Sequence, residues 1–353
     1  LIDCGLFQGP RTLETLNREP FSFDARKIAA VVLTHAHIDH SGLLPKLVAE
    51  GFRGPVYATP QTRDLLYHML PDAGRTQERK AERRTRRRDR KDGEPIEPIY
   101  TEADSKAAYD QIETVALNKW FQPARGFTAR LWNAGHILGS TSVEMQIGET
   151  RLLFSGDLGP DHKAFHADPE GPSGLDHVIC ESTYGDRVRE DLTIEQRRTL
   201  LEAEIKAALT RGGNLVIPVF ALERTQELLL DIAMLINTGR LAHPQVFIDS
   251  PLATRATEVF AKHAGELEDG RIRHHLRHNL GRRESTILFV GFQAAGSLGR
   301  TILDGANRVR IWGQDVAVRA QIRRIDSYSA HADQQDLQRW IKARQPIEGS
   351  LFL

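Results

Sequence analysis

The sequence predicts an α/β protein in two parts: a β-rich sandwich with helices on its outer faces, and a parallel-sheet domain inserted into it. Three observations predict this. Short β-branched runs split by turns extend as far as Glu181, regular strand–helix alternation follows, and the tail returns to an alternating strand and a helix. At 353 residues the chain exceeds one ordinary domain of about 100 to 200 residues. The expected division is 1–187 for the first part of the sandwich, 188–308 for the insert and 309–353 for the return.

The opening LIDCGLFQG reads as the second half of a strand followed by a glycine turn, so the chain is expected to start late in a longer protein. IAAVVLT at 28–34 is an apolar strand. HSGLLPKLVAEG carries helical spacing at Leu43, Leu44, Leu47 and Val48, with Gly51 as its stop. PVYAT, RLWNA, RLLFSG and HVICES supply further strands. Residues 75–93 interrupt them with a dense basic run, and 79–91 is expected to be a solvated helical arm.

Beyond Glu181, Thr193 and Gln196 form a T-x-x-Q capping box before a helix whose apolar face is Leu200, Leu201, Ile205, Ala208 and Leu209, ended by Gly212. Strand NLVIPVF, helix LERTQELLLDIAMLI, strand QVFIDS, helix TRATEVFAKH, strand TILFVG, helix LGRTILDGA and strand VRIWG then alternate as βαβ units of a parallel sheet do.

Composition removes some function classes. Lys plus Arg equals Asp plus Glu at 47 each, so there is no global basic field and any polyanion site must be local. The longest apolar runs fall short of the roughly 20 residues a membrane span requires. A cytoplasmic location is expected. Cys4 and Cys180 have no CxxC or Cys-His spacing around them and read as buried thiols of a reducing compartment.

The chemistry concentrates in His35-x-His37-x-Asp39-His40, on a turn between a strand and a helix. Chance supplies only about 0.003 such matches in a chain of this composition. Imidazoles grouped with a carboxylate suit zinc; manganese or iron accept the same ligands. His136, in AGH after strand RLWNA, and Asp157, in SGD after RLLFSG, would each pass alone for ordinary turn formers. Following the first cluster in sequence, they complete a two-metal donor set.

The series LIDCG, THAHIDH, AGHILGS, SGDLG, ESTYGDR and YSAHAD resembles the metallo-β-lactamase superfamily, and within it the β-CASP nucleases, across nearly the whole chain. The resemblance implies a metallo-β-lactamase αββα sandwich with an inserted Rossmann-like β-CASP domain, and two zinc ions. His35, His37 and His136 would hold one zinc, Asp39 and His40 the second, and Asp157 would bridge both. Asp3 would lie beneath them and orient the ligands. Glu181 and His331 resemble the family's acid and histidine pair. A zinc-bridging hydroxide would attack phosphorus, and His331, held and made more basic by Glu181, would protonate the leaving ribose 3′-oxygen, leaving a 5′-phosphate and a 3′-hydroxyl. The residues alone make Glu181 a strand-end acid and His331 a helix-start residue with Ser329 and a nearby acid as caps.

The family pattern continues past GSLFL with one more histidine ligand, precedes LIDCG with further strands, and carries a longer segment near ELED-GRI. These differences are expected to reflect residues beyond this sequence rather than evolved losses. Single-stranded RNA is the expected partner, with Arg224 and the stretch holding Arg271, Arg273 and Arg277 lining a phosphate cleft. His274 and His278 lack the glutamate of H-E-x-x-H and are not read as a third metal site. Rival readings are a DNA-directed β-CASP nuclease, a small-ester metallo-hydrolase, which leaves the insert unexplained, and a non-catalytic scaffold subunit, which the intact histidine cluster opposes. A homodimer is left open.

Overall fold

A computed structural model describes residues 1–9, 11–88, 95–189, 192–242, 244–263, 285–290, 293, 297–311, 314–325 and 327–353. A short helix, α1 (Arg11–Leu16), precedes the apolar run at 28–34, which is buried as its composition requires: Val31, Val32 and Leu33 are almost fully covered. Strand β1 (Val31–Val32) pairs in parallel with β2 (Val56–Ala58), and β2 with β3 (Ile112–Thr114). Between β1 and β2 lie the one-turn helix α2 (Ile38–Ser41) and α3 (Leu44–Ala49), ended at Gly51. Between β2 and β3 lie the long α4 (Pro60–Arg88) and α5 (Glu102–Tyr109), which pack on each other, with α5 also against α3. The basic arm is the end of α4 and mostly exposed, as expected of a solvated face; 89–91 lie outside the described residues.

Strands β4 (Trp120–Ala124), β5 (Phe127–Asn133), β6 (Thr141–Ile147) and β7 (Thr150–Phe154) form an antiparallel meander, and β8 (Leu175–Ile179) adds in parallel to β7. The two sheets share a core in which Val32, Tyr57 and Ile2 meet Ala129, Leu131, Val143 and Met145, the sandwich the sequence predicts.

The chain divides into two units. The first holds Leu1–Asp161, Ala167–Asp186 and Gln334–Leu353, and the second His162–His166 and Arg187–Asp333. In the second, α6 (Ile194–Thr210) begins with the capping box, Thr193 accepting from Gln196 N–H while Gln196 reaches back. Leu201, Ile205 and Ala208 are buried, but Leu200 and Leu209 are exposed: positions 201, 205 and 208 form one stripe, and the two leucines flank it. Strand β9 (Leu215–Val216) is shorter than NLVIPVF, because Pro218 has no N–H to give a ladder. Helix α7 (Arg224–Asn237) follows. The expected strand QVFIDS is not one; the segment instead ends at Ser250, whose hydroxyl caps α8 (Pro251–Lys262) by accepting from Ala253 N–H at 3.2 Å. Strand β10 (Thr286–Phe289), helix α9 (Leu298–Leu303), the antiparallel hairpin β11 (Arg308–Ile311) and β12 (Gln314–Ala317), and β13 (Gln321–Arg324) complete the unit.

Strand β10 pairs in parallel with both β9 and β13, giving the parallel sheet expected of the insert. That pairing holds residues 309–333 in the second unit, whereas the sequence reading places them in the return. The return itself is α10 (Gln334–Lys342) and β14 (Ile347–Phe352), which pairs in parallel with β8.

The stripe on α6 yields the first prediction. Leu201→Ala should cost about 2–5 kcal/mol of stability by opening a cavity. Leu200→Ala should stay within roughly 0.5 kcal/mol of the parent. Urea unfolding followed by circular dichroism checks both, and equal costs would contradict the assigned face.

Candidate metal centre

Strand β1 ends at Val32, and the H-x-H pair lies in the loop between it and α2. The loop carries His35 and, as the residue that opens α2, His37, and brings the two rings together. Nε2 of His35 lies 3.0 Å from Nδ1 of His37, and Nε2 of His136, from the loop after β5, lies 3.1 Å from that same Nδ1. The three ring centroids are 4.9, 5.0 and 5.0 Å apart. Asp157, after β7, brings Oδ2 to 3.6 Å from His35 and 3.5 Å from His136. All four donor atoms lie within 4.8 Å of one another, three of the residues being buried. One shared proton cannot satisfy His37 Nδ1 against two other ring nitrogens at once, whereas one Lewis acid can. Tetrahedral zinc with Zn–N near 2.0–2.1 Å sets donor edges of about 3.3 Å, which these separations fit.

Asp3 orders the cluster from beneath. Its Oδ1 accepts Thr34 N–H at 2.7 Å, and its Oδ2 accepts the Thr34 hydroxyl at 2.8 Å and His40 Nδ1 at 2.7 Å. With its proton committed to Asp3, the Thr34 hydroxyl accepts from His35 Nδ1 at 2.9 Å. Both histidines are therefore protonated on Nδ1 and present Nε2 to the centre, the orientation a metal requires. Thr34 was not singled out in the sequence; its position immediately before His35 was the available signal.

His40 Nε2 lies 3.2 Å from Asp157 Oδ1. Burial opposes its protonation, but the hydrogen bonds to Asp157 and Asp3 prevail and push its pKa up to about 11. Burial likewise works against the charge of Asp157, yet the His40 hydrogen bond and the histidines around it hold the carboxyl well below its usual range. A metal taking His40 Nε2 displaces that proton, so binding releases it to solvent. Asp39 stands exposed in α2 and is not among the four gathered donors.

The loops that carry these groups are fixed locally. Ser140 Oγ accepts the N–H groups of His136 and Ile137 at 3.0 and 3.1 Å. Gly156 turns the chain at φ 58°, where a Cβ would stand 2.8 Å from Thr141 O, and so aims Asp157 inward. Glu181 is tied to the same strand ends: its N–H donates to Ser155 Oγ at 2.9 Å and its Oε1 accepts from Leu158 N–H. Carboxylate oxygens of Glu181 and Asp157 lie within 4.8 Å of each other. Cys4 and Cys180 are buried and unbridged, and burial pushes each thiol up to about 12, which suits core residues.

His331 belongs to the second unit, in a loop that the unit holds firmly. Tyr328, fully buried, donates its hydroxyl to Asp231 at 2.8 Å; Arg189 N–H donates to Asp333 at 2.8 Å and the Arg189 guanidinium to the His331 carbonyl. Ser329 Oγ accepts His331 N–H at 3.3 Å, a contact within the loop rather than a cap of α10, which begins at Gln334. Arg224 opens α7 with its guanidinium carbon 5.2 Å from the Phe220 ring centroid. Arg271, Arg273, Arg277, His274 and His278 lie outside the described residues.

Sandwich, strand-end ligands and parallel-sheet insert define a metal-dependent hydrolase. The metallo-β-lactamase superfamily model matches residues 1–191, a Beta-Casp domain matches 263–302, and a Zn-dependent metallo-hydrolase RNA specificity domain matches 315–353. The chain belongs to the metallo-β-lactamase superfamily and, within it, to the β-CASP group. It is 33% identical to Ribonuclease TTHA0252 of Thermus thermophilus over 396 residues, covering 98% of this chain and 86% of the relative. It is 28% identical to Transcription termination factor FttA of Methanothermobacter thermautotrophicus, across all of this chain but 62% of that protein. An RNase J-like protein of Methanocaldococcus jannaschii is 26% identical, with 97% and 83% covered. Among the described residues no helix is long and apolar enough to cross a membrane.

If Asp3 acts by orienting His40 and Thr34, Asp3→Ala should weaken zinc binding about 10- to 100-fold, and His136→Ala should weaken it more. Competition against a chromophoric chelator measures both; parental affinity in Asp3→Ala would sink the orienting role.

Proposed function

We propose that this chain is a zinc-dependent ribonuclease that hydrolyses phosphodiester bonds in single-stranded RNA, leaving a 5′-phosphate and a 3′-hydroxyl. The observation that carries the reading is the convergence of His35, His37, His136 and Asp157 on one point. A relative named as a ribonuclease over 98% of this chain and an RNA specificity domain at 315–353 support RNA as the substrate. His35, His37 and His136 are assigned one zinc, Asp39 and His40 the second, and Asp157 the bridge.

Two bound zinc ions supply Lewis acidity toward the phosphate and lower the pKa of water. Asp3 and Thr34 keep the imidazole lone pairs pointed inward. Glu181 and His331 are assigned the acid–base work, with the proton for the leaving 3′-oxygen coming from His331.

The test pairs the parent with His331→Ala on 5′-labelled single-stranded RNA and matched DNA, with zinc measured in both proteins. The parent should hold about two zinc per chain and cut RNA in preference to DNA. The variant should keep its zinc and lose about 10²- to 10⁴-fold in cleavage. A zinc-loaded parent that cuts neither nucleic acid would overturn the reading and direct assays to small esters; preferred cutting of DNA would overturn the substrate.

A further inference from the structure

The metal centre leaves one prominent feature of the second unit unused. Phe220 is 67% exposed, more than any other described phenylalanine, tyrosine or tryptophan. Burying such a ring is worth roughly 2 kcal/mol or more, a stabilisation that this position forgoes.

The backbone supplies the cause. Glu223 has φ 69° and ψ −67°, and Arg224 N–H donates to Leu222 O at 3.0 Å. These are the angles and the hydrogen bond of the strained γ-turn that side chains rarely adopt. Its strain is held from two sides. The Glu223 carboxylate is buried and its Oε1 accepts from Lys163 at 2.9 Å and His166 at 2.8 Å; burial opposes its charge, but His166 and Lys163 beside it draw its pKa down to about 2. Thr225 Oγ1 donates to Phe220 O at 2.6 Å, and Gln226 Nε2 to Ala221 O at 3.2 Å. Leu222, the turn's first residue, is buried. The turn is over-determined, as strained turns at binding sites are. It fixes Phe220 facing solvent with the Arg224 guanidinium over its ring at 5.2 Å.

We propose that Phe220, backed by Arg224, is a stacking platform for one unpaired nucleobase of the RNA. The ring has no hydrogen-bonding group, so it recognises the flat face common to all bases and not their sequence. Arg224 adds a cation beside the ring, suited to the phosphate of the stacked nucleotide. The platform rests on the ribonuclease reading for its choice of a nucleobase among flat ligands. It accounts for the strained turn, the exposed ring and the stacked guanidinium together.

The experiment uses the full chain with zinc bound and compares the parent with Phe220→Tyr, Phe220→Leu and Phe220→Ala, reading kcat and KM on single-stranded RNA. Tyrosine keeps a stacking face and should stay within about twofold of the parent, whereas leucine and alanine should lose about 5- to 100-fold in kcat/KM, mostly through KM. RNAs carrying an abasic nucleotide at successive positions locate the contact. For the parent, one position should cost as much as Phe220→Ala does, and for Phe220→Ala that position should cost nothing further. The abasic scan on the parent needs no folded variant, so a uniform response along the strand overturns the platform by itself. Leucine and alanine variants with parental KM also overturn it while leaving the ribonuclease reading standing. A parent that neither binds nor cuts RNA removes both together.

Discussion

The carboxylate of Asp3 is the contact on which the metal centre depends. Asp3 sits at φ 55°, in the left-handed region that aspartate tolerates better than most side chains, and three hydrogen bonds hold its carboxylate there. The strip around it is tied to both flanks of the histidine loop. Asp3 N–H donates to Val32 O at 3.0 Å, Cys4 N–H to His40 O at 2.7 Å and Leu6 N–H to Ile38 O at 2.9 Å. This closeness leaves no room at Gly5, where a Cβ would fall 1.5 Å from Asp39 O. The segment that opens the chain thus acts as a clamp that sets the end of β1, the start of α2 and the imidazoles between them.

From that clamp the rest of the centre follows by sheet geometry. His35 leaves the end of β1, His136 the end of β5 and Asp157 the end of β7, so the donors are delivered by two sheets packed through one core. Rigid strands set donor positions more closely than loops do, and the short loops beyond them are pinned by Ser140 and Gly156. Proton inventory and geometry agree: Nδ1 of His35 and of His40 are both engaged below, leaving Nε2 of each for the centre.

The gathered donors were legible in the sequence because metal chemistry needs particular side chains at close spacing, and two of them, His35 and His37, fall within three residues. The capping box at Thr193 was equally legible, since both partners lie within one turn. What the sequence hid was decided by distant partners. Thr34 becomes a hub only once Asp3 is beside it. Leu200 and Leu209 carry the right hydrophobicity for a core face, yet the packing of α6 selects only the stripe through Leu201. NLVIPVF has the composition of a long strand, but Pro218 limits its ladder, and QVFIDS forms no strand among the described residues. Glu223 reads as an ordinary acid at a helix start. Its γ-turn shows only when Lys163 and His166, about sixty residues earlier, close on its carboxylate.

The balance of 47 basic and 47 acidic residues bears on how such a chain would hold a polyanion. Many of its cations are committed internally. Glu144, fully buried, takes Arg130 and Arg151; Asp231 takes Arg197 and Arg198; Glu202 takes Arg240. Guanidinium groups locked in such pairs contribute little to the counterion release that drives most nucleic-acid binding. Affinity for RNA in such a protein then comes from local sources: clustered cations such as the exposed basic end of α4, metal charge on the phosphate at the centre, and contacts that do not depend on net charge. Base stacking is of the last kind, since it draws on the apolar face of a nucleotide and is insensitive to salt compared with phosphate contacts. Among the exposed rings that offer such a face, Phe220 is the one that a strained, doubly braced turn keeps there.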